Sequence, residues 1–97
     1  MISEIFEKGE TRQFPFRLYN NIDNETLVIQ SAAWKLTTND IDEEKRTEIC
    51  SGVCTVNGDM LITSLVPLNV SGDFMLEVTA EIPPETIKER LRIRVVE

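Results

Sequence analysis

The clearest pattern lies in the last quarter of the chain. From Phe74 the even positions Phe74, Leu76, Val78, Ala80 and Ile82 are apolar. The odd positions between them are Met75, Glu77, Thr79 and Glu81. Period-two alternation of this kind predicts a strand with one buried face. From Lys88 the parity inverts: Leu91, Ile93 and Val95 are apolar, while Lys88, Arg90, Arg92 and Arg94 are basic. Pro83-Pro84-Glu85-Thr86 separates the two runs and predicts a turn. A loop over 83–86 sets Ile82 opposite Ile87, Val78 opposite Leu91, Leu76 opposite Ile93 and Phe74 opposite Val95. On the other face Glu81 then meets Lys88 and Glu77 meets Arg92, so one register satisfies both faces. Only Glu89, opposite Ala80, is misplaced.

A second hairpin is predicted in the middle. Thr47 to Val56 and Met60 to Val66 flank Asn57-Gly58-Asp59, and Asn-Gly between β-rich runs is a strong hairpin signal. A two-residue loop pairs Val56 with Asp59, and a three-residue loop pairs it with Met60. Met60, Leu61 and Ile62 are consecutive apolar residues, which suits a strand covered on both sides or one that changes face. Leu27 to Thr38 reads as a long strand or two joined ones, with Ala32, Trp34 and Leu36 on one side, and a bulge near Gln30-Ser31 would reconcile the two halves. Phe14, Phe16 and Leu18 alternate with Pro15, Arg17 and Tyr19. Pro15 cannot donate to a ladder, so this is an edge strand or a strand start. Residues 1–11 add an N-terminal arm or a short edge strand. Loops are expected at Tyr19–Glu25, Thr38–Arg46 and Pro67–Asp73.

The reading is therefore all-β, one domain over residues 1–97, with six to seven strands joined by short antiparallel connections. That implies a β-sandwich, with a small barrel as the alternative. Trp34, Phe14, Phe16 and Phe74 are the expected large core residues.

Composition narrows the function classes. The chain has 97 residues, 41% hydrophobic and 28% charged, which suits one globular domain. Its net charge of −7 argues against a nucleic-acid partner, which needs clustered cations on one face. No signal pattern opens the chain and no run approaches a membrane span, so synthesis in the cytoplasm and no membrane partner are expected. There is no histidine, which removes the commonest general base and zinc ligand. No phosphate-binding glycine loop or nucleophile elbow occurs. No catalytic residue, cofactor or metal site is expected.

Three groups are candidate sites. Cys50 and Cys54 lie four apart on one strand, roughly 13 Å, beyond the about 7 Å that a disulfide spans. Free buried thiols are the expectation, against a disulfide made through a bulge at Gly52 or a metal role. Asp40, Asp42, Glu43 and Glu44 form an acidic cluster without the spacing or glycine of a calcium loop, and read as a solvated loop. Arg90, Arg92 and Arg94 could recognise an acidic partner or nucleic acid, but the register pairs this row with Glu77 and Glu81, and no aromatics interleave it.

Several segments together carry a family resemblance. They are Phe6-Glu7-Lys8-Gly9-Glu10-Thr11-Arg12 followed by Phe14-Pro15-Phe16, then Gln30-Ser31-Ala32-Ala33-Trp34-Lys35-Leu36. Next come Gly52-Val53-Cys54-Thr55-Val56 and Ser71-Gly72-Asp73-Phe74-Met75-Leu76-Glu77-Val78, leading into the basic last strand. From about Lys8 onward the chain resembles the small immunoglobulin-like β-sandwich proteins of tailed phages and prophages, the N-terminal domain of baseplate upper proteins in particular. That resemblance implies an immunoglobulin-like antiparallel β-sandwich and a non-enzymatic structural role in the virion, at tail, neck or baseplate. It implies other virion or tail proteins as partners and copies arranged in rings. It offers no catalytic residues. The inter-sheet disulfide of true immunoglobulin domains joins distant cysteines, which Cys50 and Cys54 are not. The other class considered is a ligand- or carbohydrate-binding sandwich module, which would group exposed aromatics, Tyr19 among them, on a flat face.

Overall fold

A computed structural model describes residues 3–18, 29–39, 43–58 and 60–97. Nine strands follow one another: β1 (Ser3–Glu7), β2 (Glu10–Arg12), β3 (Pro15–Arg17), β4 (Ser31–Thr38), β5 (Glu48–Asn57), β6 (Met60–Thr63), β7 (Val66–Leu68), β8 (Gly72–Ile82) and β9 (Glu85–Val96). A single 3-10 turn, Glu43–Lys45, is the only helical element among the described residues. Seven strands form one curled sheet in the order β1-β9-β8-β4-β5-β6-β3, and β2 pairs with β7 in a small second sheet. The fold is nearly all β and sandwich-like.

The long β5–β6 hairpin carries the chain from one layer to the other. There, β3 lies antiparallel to β6 with Pro15 opposite Ile62, and β2 lies antiparallel to β7 with Glu10 opposite Leu68. Between the layers sit Trp34 and Leu36 of β4, Phe74, Leu76 and Val78 of β8, and Ile93 and Val95 of β9. Phe14, Leu18, Leu61, Val66 and Leu68 close over them from the other side. Of the expected aromatic core, Trp34, Phe14 and Phe74 are buried, and Phe16 is half-buried.

Two polar contacts hold the core in place. The buried Thr63 hydroxyl accepts from the Phe14 amide at 2.9 Å, and the Thr63 amide donates back to the Phe14 carbonyl at 3.1 Å. The Trp34 indole donates from Nε1 to Oγ of Ser64 at 2.8 Å. The indole lies directly over Gly52, where a Cβ would come within 2.7 Å of that Nε1.

Several expectations are corrected. The last hairpin turns on Pro83-Pro84 alone, joined by a cis bond, with Ile82 opposite Glu85. Every pair therefore moves by two residues: Leu76 faces Leu91, Phe74 faces Ile93, and Val78 faces Glu89. A two-residue slip leaves each side chain on its own face, so alternation cannot detect it. Loop length decides, and the shorter loop pairs more backbone. The middle hairpin has Asn57 opposite Met60 and Val56 opposite Leu61, one residue from the pairing expected of a three-residue loop and two from that of a two-residue loop. Gly58 takes a φ of 63°, which glycine adopts at little cost. The β4–β5 pairing shifts register between Leu36 and Thr37, and Leu27 and Val28, in the half that the expected bulge would join to β4, lie outside the described residues. Within the expected loop Pro67–Asp73, β7 ends and β8 begins.

The sheet is also mixed, not purely antiparallel. β1 runs parallel to β9, with Ile5 opposite Arg94 and Phe6 opposite Val95. A parallel neighbour needs a long connection, here nearly the whole chain, which no local pattern signals.

Candidate functional site

The outer face of the large sheet is built by register. Across β5, β4, β8 and β9 one row reads Ser51, Lys35, Glu77 and Arg90. The row beside it reads Val53, Ala33, Thr79 and Lys88. Toward the other end Thr37, Met75 and Arg92 line up, followed by Asp73, Arg94 and Ile5. None of these positions is aromatic, and Tyr19 lies outside the described residues.

Glu77 anchors this face. It points outward yet is only 8% exposed. Arg90 donates from Nε to its Oε2 at 2.8 Å, while Nζ of Lys35 and of Lys88 stand 3.7 and 3.9 Å from its Oε1. The aliphatic stems of such long cations can cover a carboxylate while their heads stay wet. Burial pushes the Glu77 carboxyl up, but the Arg90 hydrogen bond and the three positive charges outweigh it and hold it below the usual carboxylate value.

The expected counter-charges are thus partly reassigned. Glu77 takes Arg90 rather than Arg92. Glu81 accepts from the Thr86 hydroxyl at 2.8 Å and sits opposite Thr86 rather than Lys88. Arg94 donates to Asp73 at 2.9 Å, a pair outside the expected register. Arg92 faces Met75 on one side and Ser3 on the other, and among the described residues no carboxylate pairs with it. Ile5, Asp73, Arg92 and Arg94 line a depression of about 210 Å³.

The large sheet ends in two edges, which differ chemically. At one end, the bond from the Thr63 amide to the Phe14 carbonyl sets the phase of β3. Phe14 and Phe16 face β6, and the backbone of Pro15 and Arg17 faces away. Pro15 has no N–H to offer there, which blunts the edge. At the other end, the Lys8 amide donates to the Val96 carbonyl at 2.7 Å. Even-numbered residues of β1 therefore bond to β9, and Ser3, Ile5 and Glu7 direct their backbone groups away from it. The Glu7 amide is taken by the Glu10 carboxylate at 2.7 Å. That bond, with the one from Arg12, lowers the Glu10 carboxyl below its usual range. The side chain of Ile5 is 67% exposed.

An apolar cavity of about 260 Å³ opens between the layers, lined among others by Leu36, Cys50, Leu68, Phe74 and Val95. Ile49 and Val70, both exposed, also line it. Nothing in the sequence pattern signalled it, because its lining comes from five strands spread along the chain. Cys50 and Cys54 are free and half-buried rather than buried. Desolvation raises both thiols, and Glu48 raises Cys50 further. Of the acidic cluster, Asp40 and Asp42 lie outside the described residues, and Glu44 is exposed on the 3-10 turn. Among the described residues no group of three His, Cys, Asp or Glu side chains could hold a metal ion. Among the described residues no helix is long and apolar enough to cross a membrane.

No protein-family model matches the chain, and no curated protein matches it in sequence. Among solved structures, the solution structure of amebosin is similar at a TM-score of 0.44 and 13% identity, over 97% of this chain and 88% of that one.

Proposed function

We propose that this chain is a non-enzymatic structural or assembly protein of a tailed-phage or prophage particle, a tail, neck or baseplate component acting through protein–protein contacts. In this reading the sandwich is immunoglobulin-like, the partners are other virion or tail proteins and further copies of the chain, and the virion is where it resides. The order of sequence segments from Lys8 onward supports the family. The observation that supports contact as its mode of action is the β1 edge, with outward backbone groups beside an exposed isoleucine. Edges of this kind accept an added strand. Light scattering across a concentration series, with co-purification of tail-tube, neck and baseplate proteins from the same genome, tests it. Self-association or capture is expected. A strict monomer that binds none of them overturns it.

The apolar cavity favours a second reading, a module that binds a small ligand. Its lining suits an aliphatic or aromatic group rather than a sugar. A rise in melting temperature with short-chain fatty acids, lost when Leu68 is replaced by Trp, would support it. No rise would remove it.

A further inference from the structure

We propose that the β1 edge and the neighbouring Arg92 and Arg94 form a docking site for an acidic, extended segment of a protein partner, which adds as a strand beside β1. The inference rests on the contact role proposed above and specifies its site and chemistry.

Three observations converge on this place. The backbone of Ile5 points away from β9, and among the described residues β1 has β9 as its one neighbour. The opposite edge lacks a donor at Pro15, and the Glu7 end of β1 is capped by Glu10. Of the two edges of the large sheet, the stretch around Ile5 is therefore the less protected among the described residues. Next, Ile5 projects onto the outer face, so an added strand gains an apolar neighbour there. Last, Arg92 has no described counter-charge, while Arg90 and Arg94 are held by Glu77 and Asp73. Arg92 and Arg94 share one depression with Ile5, which brings a carboxylate on the added strand within reach of a guanidinium.

The charge selects the partner. Main-chain bonds to β1 supply affinity without regard to sequence. An arginine with no counter-charge among the described residues, beside one already paired, favours a carboxylate over a cation. Nucleic acid fits less well, because Asp73 and Glu77 interrupt the cationic row and the whole chain carries −7.

The test uses fluorescence anisotropy with the intact chain. The probes are a labelled peptide alternating valine and aspartate, its valine–lysine counterpart, and oligothymidine. The aspartate peptide is expected to bind, more weakly as salt rises, and the lysine peptide not to bind. Arg92→Glu, on an exposed side chain, is expected to weaken binding about tenfold or more. Ile5→Pro, which removes an outward N–H and no bond to β9, is expected to weaken it comparably. Circular dichroism confirms that each variant folds. Failure of the aspartate peptide to bind, or binding that neither variant changes, overturns the proposal. Tighter binding of oligothymidine overturns it in favour of nucleic acid. If the chain keeps its self-association or its particle partners while both variants leave them unchanged, this site falls and the contact role stands.

Discussion

Nε of Arg90 donates to Oε2 of Glu77 across 2.8 Å, between residues directly opposite on β8 and β9. The same carboxylate lies within ion-pair distance of Lys35 from β4 and Lys88 from β9. One anion thus ties three strands on a face that would otherwise gather cations. Removing one partner of a mostly buried ionic group costs more than the pair contributes, because the remaining charges lose their compensation. Glu77→Ala is expected to destabilise the fold by about 1–3 kcal/mol, read as a lower urea midpoint with an unchanged m-value. An unchanged midpoint would show that the cluster contributes nothing.

The same group sets an acid limb. The Glu77 carboxyl is lowered in the folded chain relative to an unfolded value of about 4.3. Its stabilisation is therefore fully present above that unfolded value and is lost as pH falls through the lower folded value. Wild type is expected to lose stability below about pH 4 more steeply than Glu77→Gln, in which this titration is absent. Parallel acid limbs would contradict this.

Gly52 lies under the only tryptophan of the chain. A Cβ there would stand 2.7 Å from Ser64 Oγ and 2.8 Å from Trp34 Cε2, and an indole ring cannot bend aside. Gly52→Ala is expected to displace Trp34, break its bond to Ser64 and cost about 1–3 kcal/mol. A red-shifted tryptophan emission with a lower melting temperature is the readout.

Thr63→Val keeps the volume but removes the acceptor of the Phe14 amide. A buried N–H left without a partner costs about 1–3 kcal/mol. Faster hydrogen exchange at Phe14, together with lower stability, is the expected outcome.

The thiols of Cys50 and Cys54 are half-buried and raised above their usual value. Both are expected to react slowly with a disulfide reagent at neutral pH and fast in denaturant. Two free thiols are expected in the native protein under oxidising conditions, since residues four apart on one extended strand cannot bridge.

How far each feature was legible follows from the range of the interaction behind it. The inner faces of β4, β8 and β9 follow alternation, and Trp34, Leu36, Leu76, Val78 and Ile93 are buried where it puts them. The β3 edge was legible from Pro15. The docking region was not. Ile5 carries no periodic signal in so short a strand, and Arg92 has no carboxylate opposite it among the described residues because the hairpin sits two residues from the register that would have paired it with Glu77. The apolar cavity was equally hidden, since its walls meet only after folding.

By itself, then, the sequence determined an all-β chain, the residues that face inward, and the sign of charge along each strand. These are local consequences of the two-residue period of an extended backbone, which any sliding window reads. Tertiary structure decided the register of the last hairpin, the parallel seat of β1 on β9, and hence which arginine has no carboxylate beside it among the described residues. The physical reason is that a slip of two residues preserves every face. Only loop closure and contacts between strands far apart in the chain separate one register from the next.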